Sequence, residues 1–265
     1  MSTSNYTTLF ESKYDYVHFL KNAQNRKVFS AYNKLKANIQ QLPKEVNMKF
    51  IKYYQTNFKP ENFYADKIYQ VDIKSCYANI LNNNNIIDKT AFDYLYTLEK
   101  PERLAAVGML ASKKNVFEFD NNGKCISHEV QINPYADYFF YCVQETFLIM
   151  NEAKDILGKN FLFSWVDAIY FTGGTTQADK VIKYFKDVWK LDATFAILNQ
   201  FEIEMREDFY RLRYIKEGLP TFMNIPTGES KQKKQLVDFL LTYKHKDLKT
   251  INNNFKTMNN ENTKD

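Results

Sequence analysis

Apolar positions along the chain follow two periods, and the switches between them mark the predicted elements. From Phe10 to Phe50 apolar residues recur at helical spacing (Tyr14, Val17, Leu20, then Val28, Tyr32, Leu35, Ile39), with Pro43 as a breaker, which predicts two helices. Lys49 to Asp66 reads as a connection. Lys67 to Ile73 is rich in β-branched and aromatic residues and predicts a strand, and Ser75 to Leu81 then places Cys76, Tyr77, Ile80 and Leu81 at helical spacing. Asp72 therefore sits where a strand hands over to a helix.

Asn82 to Asn85 predicts a helix stop, and Asp88 to Ala111 predicts two helical patches parted at Lys100-Pro101, the second with an apolar face of Leu104, Val107, Gly108 and Ala111. Asn115 to Val130 reads as a hairpin around Asp120-Asn-Asn-Gly123. A long helix follows over Tyr135 to Leu157, with a stripe of Phe139, Val143, Thr146, Phe147 and Met150 and Gly158 at its end. Phe161 to Phe171 reads as an apolar strand interrupted by one carboxylate, Asp167, and it stops at the turn Thr172-Gly-Gly-Thr175. A helix over Gln177 to Trp189, strands over Ala193 to Met205 and Phe209 to Ile215, a helix over Lys231 to Tyr243 and a polar, disordered tail from Asn252 complete the prediction.

Composition narrows the class. At 265 residues and 45% apolar content the chain buries a sizeable core. With 19 Tyr and 22 Phe against 7 Gly and 6 Pro, it is expected to use long elements and few tight turns, which argues against a many-stranded sandwich. The net charge of +5 is compatible with a nucleic-acid partner without requiring one. Cys76, Cys125 and Cys142 have no CxxC spacing and the three His are isolated, so a zinc site is not expected, and the odd Cys count fits a reducing compartment. No run approaches the roughly 18 apolar residues that span a bilayer, and no signal-peptide pattern opens the chain.

An acid inside a core strand is costly unless paired or bound to a cation. A strand-to-helix Asp and a mid-hairpin Asp, joined by a long helix, suit two-metal phosphoryl transfer, in which carboxylates hold Mg²⁺ and substrate phosphates complete its octahedron. Spacing alone favours two unrelated acids at strand ends, which are common.

The residues themselves are more specific. Asp72-Ile-Lys-Ser-Cys-Tyr-Ala-Asn-Ile80 resembles motif A of family B DNA polymerases, Asp-x-x-Ser-Leu-Tyr-Pro-x-Ile. Val166-Asp-Ala-Ile-Tyr-Phe171 resembles motif C, Tyr-x-Asp-Thr-Asp-Ser-Ile-Tyr-Phe, with Asp167 at the second, metal-binding Asp. The resemblance covers Lys67 to Ile225 and is nearest to the protein-primed phage and plasmid branch. It implies an α+β fold, a polymerase-like palm of antiparallel sheet backed by helices, with a small helical fingers insertion. The implied domains are a helical region over 1–66, a palm over 67–225 with fingers at 88–130, a reduced thumb over 226–251 and a tail over 252–265. It further implies Asp72 and Asp167 as catalytic ligands of two Mg²⁺ or Mn²⁺ ions, the Ile73 carbonyl as an added ligand, and Tyr77 as a gate against the 2′-hydroxyl. Read from the residues alone, Tyr77 is a packed core tyrosine and Ser75, implied in nucleotide binding, is equally a helix-start residue.

The likeness then thins. Arg103-Leu-Ala-Ala-Val-Gly-Met-Leu-Ala111 aligns with motif B, Lys-x-x-x-Asn-Ser-x-Tyr-Gly, but only the cation is kept, as Arg103. Arg103 and Lys100 are implied in gripping the triphosphate, with an exposed helix face as the alternative. Trp165 replaces the first Asp of motif C and Ala168 its Ser. Phe209-Tyr-Arg-Leu-Arg-Tyr214 resembles the family's Lys-Lys-x-Tyr segment, giving Arg211, Arg213 and Tyr214 as DNA contacts, with Lys113 and Lys114 added to the same basic surface; an amphipathic strand explains the first three as well. The expected activity is addition of deoxynucleotides to a DNA 3′-hydroxyl without proofreading, since no Asp-x-Glu exonuclease signature precedes Lys67. Expected partners are primer–template DNA, deoxynucleoside triphosphates and other replication proteins, with no membrane, in the cytoplasm, the host's if the gene belongs to a phage. The alternatives are an impaired palm serving as a DNA-binding replication subunit, and a template-independent or primer-making transferase.

Overall fold

The computed structural model describes residues 26–57, 63–121, 123, 125–206 and 209–226. The expected helices before residue 26 and over Lys231 to Tyr243, and the polar tail, lie outside them. The chain divides into two compact units, the first built from residues up to Val46, Ser75–Ser112 and Asn133–Thr146, the second from Asn47–Lys74, Lys113–Ile132 and the chain from Phe147 on. In kind it is α+β, an antiparallel sheet with helices.

The first unit is helical. Its elements are α1 (26–37), α2 (Cys76–Asn83), α3 (Lys89–Tyr96), α4 (Lys100–Gly108) and the first half of α5 (Ala136–Leu157). The Asp88 carboxylate caps α3 by accepting from the Ala91 N–H at 2.7 Å, and Pro101 occupies the first turn of α4 as its fixed φ allows. The face of α4 differs from the expected one. Glu102, Ala106 and Val107 are buried and Leu104 is 53% exposed, so the helix is turned relative to a reading from apolar residues alone. Nor does α5 present a stripe: every residue from Phe140 to Thr146 is buried, as in a helix enclosed on all sides. The one acid in that run, Glu145, pairs with the Lys44 ammonium at 2.8 Å.

The second unit holds a seven-stranded sheet, β1 (Tyr54–Thr56), β2 (Phe63–Ile73), β5 (Phe161–Trp165), β6 (Ala168–Phe171), β7 (Ala193–Met205), β8 (Phe209–Lys216) and β9 (Leu219–Pro226), in the order β1-β5-β6-β2-β7-β8-β9, all neighbours antiparallel. The run Phe161 to Phe171 is therefore two strands and not one. Trp165 pairs with Ala168, so Val166 and Asp167 form a two-residue hairpin turn. A separate hairpin, β3 (Lys113–Phe119) with β4 (Cys125–Ile132), and α6 (Thr175–Trp189) complete the unit.

Residues alternate across strands, so Ile68, Gln70 and Asp72 share one face of β2 while Tyr69, Val71 and Ile73 share the other. Ile68 and its neighbours Phe163, Tyr170, Leu198, Phe201, Leu212, Tyr214 and Ile225 form a buried cluster. The rings of Phe163 on β5 and Phe201 on β7 lie 6.1 Å apart although β6 and β2 separate their strands. Strands three places apart in a flat sheet are about 14 Å apart. The sheet is thus strongly curled over this face, helped by irregular pairing in β7 near Gln200, whose φ is 51°.

Candidate active site

Asp72 occupies the next-to-last position of β2, where it pairs with Ala168 of β6 and Thr194 of β7. Asp167 stands in the β5–β6 turn directly before Ala168. Two backbone bonds hold that turn: the Val166 N–H donates to the Tyr53 carbonyl at 2.6 Å, and the Ile73 N–H donates to the Asp167 carbonyl at 2.9 Å. The end of β2 and the tip of the hairpin are therefore stitched together, and the two acids stand at the same end of the sheet's central strands. Both are half-buried.

The backbone around them is unusual. Val166 has φ 51° and Ser75, three residues after Asp72, has φ 48°. A left-handed conformation costs an L-residue about 1–2 kcal/mol, and a β-branched one is a real outlier there. Ser75 precedes α2 without a side-chain capping bond, so it does not perform the helix-start role that Ser usually fills.

A buried polar chain lies on the face that carries Asp72. The Lys216 ammonium donates to the Gln70 side-chain oxygen at 2.9 Å, and the Gln70 amide donates to the Tyr170 hydroxyl at 3.0 Å. Tyr170 in turn shares a hydrogen bond with Tyr214. Burial pushes the Tyr170 phenol up, and the nearby Tyr214, Asp72 and Asp167 act in the same direction. The Thr194 hydroxyl donates to the Asp72 carbonyl at 3.3 Å. Gln70, Tyr170, Thr194 and Lys216 were not singled out from the sequence; the alternation of Gln70 with Asp72 was the available signal.

The other expected residues are placed as follows. Ile73 is buried and ends β2. Tyr77 lies on α2, half-buried, with its ring edge-on to Phe139 at 5.5 Å, and its carbonyl accepts from the Cys142 thiol at 3.8 Å. Arg103 donates to the Leu98 carbonyl at 3.1 Å and lies over the Tyr96 ring at 5.0 Å, while Lys100 is exposed at the start of α4. Arg213 pairs with Glu202 at 2.7 Å on the outer face of β8, and Arg211 lies over the Phe209 ring at 5.8 Å. Tyr214 belongs to the buried cluster. Lys113 and Lys114 open β3 opposite Ile132 and Gln131.

No family model matches the chain, and no curated protein matches it. Among solved structures it is similar to the family B DNA polymerase from the hyperthermophilic archaeon Pyrobaculum calidifontis, at TM-score 0.40 and 10% identity over 83% of this chain and 38% of that one. It is also similar to Phi29 DNA polymerase complexed with primer-template DNA and incoming nucleotide substrates, at TM-score 0.33 and 11% identity over 75% of this chain and 47% of that one. The chain thus spans less than half the length of either. The overlap is low, and the chemistry of the site rests on its own residues.

Those residues suit a hard divalent cation. Asp72 and Asp167 offer carboxylate oxygens from adjoining backbone positions, and Mg²⁺ favours one or two carboxylates with substrate phosphates and water. Among the described residues no group of three or more His, Cys, Asp or Glu is arranged around a common metal position, and no helix is long and apolar enough to cross a membrane.

Proposed function

We propose that the chain is a metal-dependent nucleotidyltransferase of DNA-polymerase type, adding deoxynucleotides to a DNA 3′-hydroxyl. The observation that carries this reading is the bond from the Ile73 N–H to the Asp167 carbonyl, which joins the backbone of two acids distant in sequence at one end of the central strands. The strained backbone at Val166 and Ser75 supports it, because such strain is retained where a site requires it.

Asp72 and Asp167 would hold two Mg²⁺ or Mn²⁺ ions, and the Ile73 carbonyl would be an added ligand. When bound, the ions lower the pKa of the attacking hydroxyl and stabilise the leaving oxygen. Tyr77 selects against a 2′-hydroxyl, Ser75 contacts the nucleotide, and Arg103 with Lys100 takes its phosphates. Arg211, Arg213, Lys113 and Lys114 meet the DNA backbone, and Tyr214 supports them from the core. In this reading the palm is 67–225 and the fingers 88–130; the expected thumb, 226–251, falls outside the described residues after Pro226. Partners are primer–template DNA and other replication proteins, and the compartment is the cytoplasm.

The test is extension of a labelled primer with Mg²⁺ or Mn²⁺, with and without a template. Extension that requires the metal and is lost in Asp72→Ala and Asp167→Ala is expected; activity surviving both changes refutes the proposal. Incorporation without template assigns the chain to template-independent or primer-making transfer. One observation favours a second reading, a non-catalytic DNA-binding replication subunit: Trp165, standing where the family has its first Asp, is stacked on Tyr54 at 5.9 Å. DNA binding indifferent to chelator, with no incorporation under either metal, selects it.

A further inference from the structure

Lys216 and Gln70 are 146 residues apart, and only the curled sheet brings them together. Lys216 ends β8, where it pairs with Leu198 of β7. Gln70, on β2, pairs with Ala196 of the same β7. The bond therefore spans β7, which lies between the two strands and presents only a methyl at Ala196 opposite Gln70. Gln70 and Asp72 project from the same face of β2 about 6.6 Å apart along the strand. The residue that the ammonium reaches is thus two positions from the acid on the same strand face.

This placement is poor for stability alone. A partly buried cation loses hydration that a carboxylate would normally restore, yet among the described residues Lys216 has a neutral amide as its hydrogen-bond acceptor and no ion-pair partner. Gln70 uses its own N–H on Tyr170, which turns its oxygen toward Lys216. One of the three ammonium donors is so engaged, and two remain for an anion.

We propose that Lys216 is a phosphate-binding residue of the site, held toward the Asp72 end of β2 by Gln70 as its positioning residue. This rests on the nucleotidyltransferase reading for the identity of the substrate. Two substrates offer the same phosphate oxygens, the DNA backbone and the nucleotide triphosphate.

The experiment uses the full chain as wild type, Lys216→Gln and Lys216→Arg, with Lys216→Met in place of the first if it does not fold. In the DNA arm, affinity for a primer–template is measured against salt with chelator and without nucleotide. In the nucleotide arm, KM for a deoxynucleotide is measured in extension. Loss of one backbone contact reduces the salt slope by about 0.7 to 0.9; loss of a triphosphate contact raises KM by about tenfold or more. Either change in Lys216→Gln, reversed in Lys216→Arg, supports the proposal and identifies the source of the phosphate. An unchanged slope and an unchanged KM overturn it while leaving extension intact. Wild-type chain that binds DNA but does not extend a primer refutes nucleotidyl transfer, and the slope still decides Lys216. Absence of any DNA binding or extension overturns both.

Discussion

The Ile73 N–H donates to the Asp167 carbonyl at 2.9 Å, so the position of one acid is tied to the strand that carries the other. Replacing either carboxylate by an amide keeps its size and, if the two acids hold the proposed metal ions, removes a hard anionic ligand. Asp72→Asn and Asp167→Asn are each expected to lower primer extension by about a thousandfold or more. Their melting temperatures should stay within a few degrees of wild type, since both side chains are half-buried where strands end. Steady-state extension together with thermal melting checks this.

Val166 turns the β5–β6 hairpin at φ 51°. Two-residue hairpins favour Gly or Asn at such positions, because a β-carbon is strained there. Val166→Asn is expected to raise unfolding free energy by up to about 1 kcal/mol, measured by urea denaturation. If the strain serves the site, extension falls in the same variant; a more stable and fully active variant shows that the strain has no role in catalysis.

What the sequence made legible follows the physics of each element. The β-branched run before Asp72 and the helical spacing after it were local signals, and β2 and α2 formed there. The strand β1 carries no such signal, because its three residues become a strand only by pairing with Ser164 and its neighbours. Pro220 and Pro226 hid β9, and they are tolerated because β9 is the last strand of the sheet among the described residues. The Val166-Asp167 turn contains neither Gly nor Pro and so read as continuous strand. The two acids were visible as motif residues, whereas the Lys216–Gln70–Tyr170 chain depends on contacts between distant strands that no local pattern announces.

Phe163 stacks on Tyr170 at 4.0 Å and on Phe201 at 6.1 Å, and it is fully buried where the sheet curls. Phe163→Ala opens a cavity at that bend and is expected to cost about 3–5 kcal/mol. Denaturant unfolding measures the loss. Phe163→Leu, which keeps most of the volume, should cost less than half as much.

Tyr77 packs edge-on to Phe139 at 5.5 Å. If it gates the sugar, shortening it to Val admits ribonucleotides, and discrimination between deoxy- and ribonucleotides falls by roughly 10- to 200-fold. Competitive extension with the two nucleotide types measures the ratio. Tyr77→Phe keeps the ring and should keep the discrimination, so equal loss in both variants rejects a steric gate.

Cys142 is buried in α5, and that burial, reinforced by the Glu145 charge, pushes its thiol up from the ordinary range. The folded chain therefore holds this proton more tightly than the unfolded chain. Its contribution to stability is fully present below the unfolded thiol pKa of about 8.5 and is lost as pH rises from there toward the folded value, at about 1.4 kcal/mol per pH unit. Melting measured from pH 7.5 to 10 is expected to show this decline, and Cys142→Ala should flatten it. Exposed Cys125 should react with iodoacetamide in the native chain while Cys142 is protected, because only an accessible thiolate attacks. Rapid native labelling of Cys142 would contradict its enclosure within the helix.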